Sequence, residues 1–223
     1  MTFSIVARSA DGESWGVAVA SKFLAVGNAV PAAVAGVGAV ATQALANVAY
    51  KGLALSHLDE GATAEVALQQ LIDEDPDHAH RQVGIVDLDG RSATHTGSQC
   101  LDWAGGVTGE GYAIQGNILT GPEVVEAMEQ AWRASEAEPD LARRLLAALK
   151  AGDEAGGDAR GRQSAALLVV REEAGYDGLD DVAVDLRVDD NAHLPDGDPI
   201  AELARLLDLN AEAHASWGEE AGE

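Results

Sequence analysis

Apolar residues along this chain recur in two rhythms: short alternating runs closed by glycine and aspartate, and longer stretches with helical spacing. Residues 2–7 (TFSIVA) and 15–20 (WGVAVA) predict two strands, and Ser9-Ala10-Asp11-Gly12 between them supplies turn chemistry for a hairpin. Residues 26–44 are rich in glycine and alanine, with Pro31, Gly36 and Gly38 as punctuation. Within them, 34–42 (VAGVGAVAT) predicts a buried strand pair whose glycines permit close backbone approach. Asn47 is expected to cap a helix running to about Leu58, with Gly61 marking its end. Thr63 caps the next, in which Val66, Ala67, Leu71 and Ile72 recur at helical spacing before Pro76.

The second half continues the same grammar. Residues 82–87, Asp89-Gly90 and 91–96 predict a hairpin, and 111–116 a further strand. Thr120 and Glu123, with Pro122 in the first turn, have the spacing of a capping box for a helix, and a second helix is expected over about 139–149. A long polar loop, 152–163, feeds 164–170 (SAALLVV), an unbroken apolar run of the buried-strand type, with 182–188 as its partner. A last helix is expected at about 199–209, followed from Asn210 by an acidic tail expected to be disordered. Blocks of strands thus alternate with pairs of helices. This departs from the strict strand–helix alternation of a parallel sheet and predicts an α+β fold, a four-layer α-β-β-α sandwich of two mainly antiparallel sheets, in a single domain over residues 1–209.

At 223 residues and 47% hydrophobic content the chain can bury a substantial core. It carries 38 acidic against 14 basic side chains, a net charge of −24. Self-repulsion of that size is screened in concentrated salt, so a halophilic, salt-adapted cytoplasm is the expected setting, with an acidic mesophilic protein as the alternative. Nucleic acid and anionic membrane surfaces are not expected as partners, because the acidic chain offers little to neutralise phosphates. No apolar stretch approaches the ~20 residues of a membrane span, and the start of the chain lacks the basic and apolar regions of a signal peptide, so a cytoplasmic location is expected. Cys100 stands alone, which excludes an internal disulfide; it is expected to be a packed, inert thiol. The histidines lack ligand spacing, and phosphate-binding glycine motifs are absent, so neither a metal nor a nucleotide cofactor is expected.

Several segments carry a resemblance: 2–7, 15–22 (WGVAVASK), 36–43 (GVGAVATQ), 81–86 (RQVGIV), Trp103-Ala104-Gly105, 112–117 (YAIQGN), 157–170 and 184–190 (VDLRVDD). Together they are similar to DUF1028, a family of unknown function grouped with the N-terminal nucleophile (Ntn) hydrolases and proteasome-like in fold. The resemblance covers residues 2–209 and implies the same four-layer sandwich. It also implies a chemistry in which the first residue of the mature chain attacks an acyl carbon and its own α-amine takes the proton. That amine suits the task because its pKa, about 7.7–8.0, lies near working pH. Thr2 directly follows Met1 and is the candidate nucleophile.

The remaining candidates follow partly from comparison with proteasome-type sites and partly from the residues' own chemistry. Asp158, ahead of Arg160-Gly161-Arg162-Gln163-Ser164, is similar to the aspartate–serine turn entering the corresponding proteasome strand; Asp158 and Ser164 are therefore candidates to orient the amine. Arg160 and Arg162 are candidates to hold a substrate carboxylate, the alternative being pairing with neighbouring acids. Ser21 and Lys22 end the second strand where the proteasome pattern has Asp-Ser-Arg, with Ser21 at the aspartate position, and are candidate substrate-binding residues. No lysine lies between Lys22 and Lys51, so the catalytic lysine of the third strand is missing, and either Lys22 or an arginine substitutes or the chemistry is lost. Asn117 and Gln43 are candidate oxyanion donors, with turn chemistry as the alternative for Asn117. The leading expectation is an amidohydrolase acting on a small amide, lactam or acylated amino acid. The rival is a non-catalytic binding or assembly protein of the same fold. A small-molecule substrate and a homodimer are the expected partners.

Overall fold

The computed structural model describes residues 2–194 and 196–220, with side chains as far as Ala213. The first hairpin pairs β1 (Thr2–Arg8) with β2 (Ser14–Ser21), as its alternation predicts. After a one-turn helix α1 (Val26–Ala29), β3 (Pro31–Val34) and β4 (Gly38–Ala44) form the glycine-rich pair. Its turn lies at 35–37 and its first strand starts earlier than expected. Pro31 opens an edge strand, where its missing N–H costs no ladder bond.

Two helices follow, α2 (Ala49–Asp59) and α3 (Ala64–Glu74). The Thr63 side chain accepts from the Val66 amide, and Asn47 accepts from that of Ala49. The hairpin β5 (Arg81–Asp87) and β6 (Ser92–Thr96) is as expected. An unexpected strand, β7 (Gly105–Gly109), precedes β8 (Tyr112–Asn117); its sequence, GGVTG, hides a strand behind glycine.

The expected capping box does not form. Helix α4 (Glu123–Ala134) starts behind Pro122 with no side-chain cap, and Thr120 packs against Gly156 instead. Helix α5 (Leu141–Glu154) is capped by Asp140 and runs five residues past its expected end, three of them into the expected loop. β9 (Ser164–Arg171) pairs with β10 (Val182–Val188). The last helix, α6 (Pro199–Glu220), passes the expected end near Leu209, so residues 210–220 are helical rather than an unstructured tail, and 221–223 lie outside the described residues.

The strands form two sheets, β10-β9-β2-β1-β8-β7 and β3-β4-β5-β6, with every pairing antiparallel. Alternation assigns each strand's faces. Phe3, Ile5 and Ala7 of β1 pack with Ile114, Leu167 and the apolar faces of α4, α5 and α6. Val40, Val83 and Ile85 of the smaller sheet pack against Tyr50, Leu58 and Leu71 of α2 and α3. The remaining faces meet, with Val6, Trp15, Val17 and Val19 against Ala39, Ala41 and Val86. The result is an α+β sandwich of two antiparallel sheets. No described helix is long and apolar enough to cross a membrane.

Candidate functional site

The space between the sheets changes character along its length. Beyond the apolar cluster, the inward positions are Thr2 and Ser4 of β1, Ser21 of β2, Gln115 and Asn117 of β8, Gln43 of β4 and Gln82 of β5, all buried. Placing three glutamines and an asparagine in a core is costly unless each finds partners. Here Gln115 Nε2 donates to Ser4 Oγ at 2.6 Å, Ser4 Oγ donates to Gln43 Oε1 at 2.7 Å, and Gln43 Nε2 donates to Gln82 Oε1 at 2.8 Å. Asn117 Nδ2 donates to the same Gln82 oxygen at 2.9 Å. Gln82 Nε2 ends the relay on Thr96 Oγ1 and the Gly116 carbonyl, at 2.9 and 2.7 Å. Gly84 makes room for this network, since a Cβ there would stand 2.1 Å from Gln115 Oε1.

Thr2 lies at the edge of the relay. It opens the strand that sits between β2 and β8, in register with Asn117, and is 7% exposed. Its Oγ1 is 3.1 Å from Ser21 Oγ, and its carbonyl accepts from Gln43 Nε2 at 3.3 Å. Four of the expected residues, Thr2, Ser21, Gln43 and Asn117, are therefore brought together. Ser21 is in register with Ser164 at the start of β9, which links this group to the second set.

In that second set, Asp158 is buried and bridges to Leu119. Its carboxylate accepts from the Lys22 amide at 2.7 Å, the Arg160 amide at 2.9 Å and the Arg160 guanidinium at 3.2 Å. Ser164 Oγ donates to the Phe23 carbonyl at 2.5 Å and accepts from the Val26 amide at 3.2 Å. Both side chains thus anchor the segment that follows β2. Lys22 Nζ donates to the Arg162 carbonyl at 3.2 Å.

Arg162 turns toward the helical layer, where it makes a two-pronged bond to Asp153 at 2.9 and 2.5 Å and lies 3.7 Å from Asp198. The Asp153 bond raises its pKa. A crevice lined by Phe3, Ser21, Asp158, Arg162 and Ser164 joins a cleft of about 460 Å³ that Asp158, Arg162 and Asn191 help to line.

Sequence reasoning missed Ser4, Gln82 and Gln115. The spacing of Gln115 and Asn117, two apart in a strand, puts both on one face and was the available clue. Cys100 plays no part here: burial raises its thiol pKa, and its Sγ donates to the Arg81 carbonyl. Among the described residues no cluster of three or more metal-ligating side chains occurs.

Comparison with known proteins adds a relationship. A crystal structure of a Silicibacter pomeroyi protein of the DUF1028 family is similar to this chain, with 34% identity, a TM-score of 0.81, and coverage of 93% of this chain and 88% of that one. No curated protein matches. The model of that family of unknown function matches residues 2–203, and the chain accordingly belongs to the DUF1028 family.

Proposed function

We propose that the protein is an Ntn-type amidohydrolase that cleaves the amide bond of a small acylated amino acid, amide or lactam, its sandwich being the four-layer α-β-β-α arrangement of that superfamily. The observation that supports this most is the position of Thr2: a hydroxyl at the first residue of a central strand, on the inter-sheet face, 3.1 Å from Ser21 Oγ. In the proposed reaction Thr2, with Met1 removed, passes its hydroxyl proton to its own α-amine while Oγ1 bonds to the substrate carbonyl carbon. The resulting oxyanion is met by an N–H donor, for which Asn117 is the nearest in register. Collapse breaks the C–N bond, and the leaving amine takes the proton from the α-ammonium. Water then hydrolyses the threonyl ester by the same route in reverse. Arg160, on the Asp158 loop, is the proposed anchor for a substrate carboxylate.

One observation favours a second reading, a small-molecule binder of the same fold without turnover. The side chains of the relay around Thr2 are all neutral, and the lysine that the proteasome comparison calls for is missing. One experiment separates the two. Protein prepared with a free Thr2 amine is treated with a β-lactone and mapped by peptide mass. Catalysis predicts a single acyl adduct on Thr2, lost in Thr2→Ala and retained in Thr2→Ser. Absence of an adduct on the free-amine protein, or equal labelling of Thr2→Ala, would overturn it in favour of the binder.

A further inference from the structure

The distribution of positive charge points away from Thr2. The chain has eleven arginines. Nine of them lie within 4 Å of a carboxylate: Arg81, Arg91, Arg133, Arg143, Arg160, Arg162, Arg171, Arg187 and Arg205. With 38 acids available, pairing is what the composition dictates. Among the described residues the two exceptions are Arg8 and Arg144, which stand 136 positions apart in sequence and line the same pocket, of about 580 Å³.

Neither is a stray surface group. Arg144 is 6% exposed, and its Nε, like that of Arg8, is buried without a hydrogen-bond partner. The Arg144 guanidinium lies 3.8 Å from the centre of the Trp132 ring, and Arg8 stacks 5.7 Å above Trp15. A stacked face satisfies a guanidinium's plane but not its in-plane donors; one Arg144 Nη meets the Trp132 carbonyl at 3.4 Å, and the others are left for an oxyanion. Burial lowers the Arg144 pKa, and nearby Glu136 and Glu138 only partly offset that effect. A buried cation held without a counter-ion is unfavourable, and in a folded chain it marks a place where something else supplies the negative charge.

The rest of the pocket narrows the ligand. Trp132 and Tyr112, 5.9 Å apart, offer an apolar, aromatic wall. Gly90, Gly109 and Gly111 remove side chains from the lining. Asp89, Glu110 and Glu136 stand exposed in the lining and disfavour multiply charged anions. We propose that this pocket is a second ligand site, for a small monocarboxylate with a flat apolar body: the carboxylate between Arg8 and Arg144, the body against Trp132 and Tyr112. The site is separate from that of Thr2. Arg8 ends the strand that Thr2 begins, six residues away, about 20 Å at the rise of a strand.

The probe is benzoate, titrated by calorimetry in low-chloride buffer, with benzamide as its uncharged match. The proposal expects saturable binding of benzoate and binding of benzamide at least tenfold weaker. Arg144→Met and Arg8→Gln should each weaken benzoate at least tenfold, while Arg205→Gln, which removes the same charge from an exposed helix face, leaves it unchanged. Thermal melts establish that each variant folds; if Arg144→Met does not, the half-buried Arg8→Gln decides. Absence of saturable benzoate binding, or equal affinity in Arg8→Gln and Arg205→Gln, would overturn the proposal.

Discussion

The inter-sheet space is filled in two ways within one pair of faces. Toward the Trp15 end it is a dry cluster of valine and alanine, whereas toward the Thr2 end it is a relay of amides and hydroxyls. The first is held by shape and by removal of apolar surface from water, and it tolerates approximate replacement. The second is held by direction, since each amide donates to the next and the last donates to main chain. A single unmatched group there leaves buried partners unsatisfied. The contrast locates where the fold has given up an apolar core for a polar relay, beside the residue proposed to act.

Three substitutions test that contrast, in order of expected effect. Trp15→Ala opens the apolar half and removes the indole N–H bond to the Asp87 carbonyl; unfolding experiments should show a loss of about 3–5 kcal/mol. Gln43→Leu keeps the volume but strands Ser4, Gln82 and the Thr2 carbonyl, and a loss of about 2–4 kcal/mol is expected. A neutral result in denaturant melts would mean the relay contributes shape alone. Gly84→Ala pushes a methyl into the Gln115 amide, for about 1–3 kcal/mol by the same measurement.

A separate substitution sets a reference outside both halves, at a buried charge. Hydrogen bonding from Arg81, then from Asn47, the Asp77 amide and Tyr50, holds the Asp75 carboxyl well below the usual carboxylate range despite opposing desolvation. A depressed carboxyl stabilises the fold above its unfolded pKa, about 3.9, and that stability is lost as pH falls through its lowered folded value. Asp75→Asn should therefore cost about 1.5–3 kcal/mol near neutrality, a difference from wild type that shrinks in melts below pH 4. A pH-independent difference would show that packing, not charge, sets the effect.

The two halves were not equally legible. Strand pairs such as β1–β2 and β9–β10 announce themselves because alternation and turn residues lie within a few positions of one another. The candidate residues Thr2, Ser21, Gln43 and Asn117 were found one at a time, and the fold assembles them. The relay itself was not legible, because Gln43 and Gln82 come from one sheet and Gln115 from the other, and nothing local says which faces meet. Strand β7 was hidden by its glycines, whose pairing is decided by β8 alongside it. The last helix outran its apolar periodicity, since helix-favouring alanine and glutamate positions continue a helix once the preceding turns are docked.

The place of β1 also sets an order of assembly. It is made before every other described strand, yet it lies inside the six-stranded sheet, between β2 and β8. Its bonds to β2 are available once residue 21 has emerged, but its other edge stays open until residue 117 has been made. At ordinary translation rates of about 5–20 residues per second, that edge waits for roughly 5–20 seconds. For that interval the nascent chain presents an apolar strand, TFSIVAR, with one row of main-chain donors and acceptors unmatched. Folding in the cell thus has a vulnerable window between the emergence of β2 and that of β8, and β1 is completed only when β8 arrives.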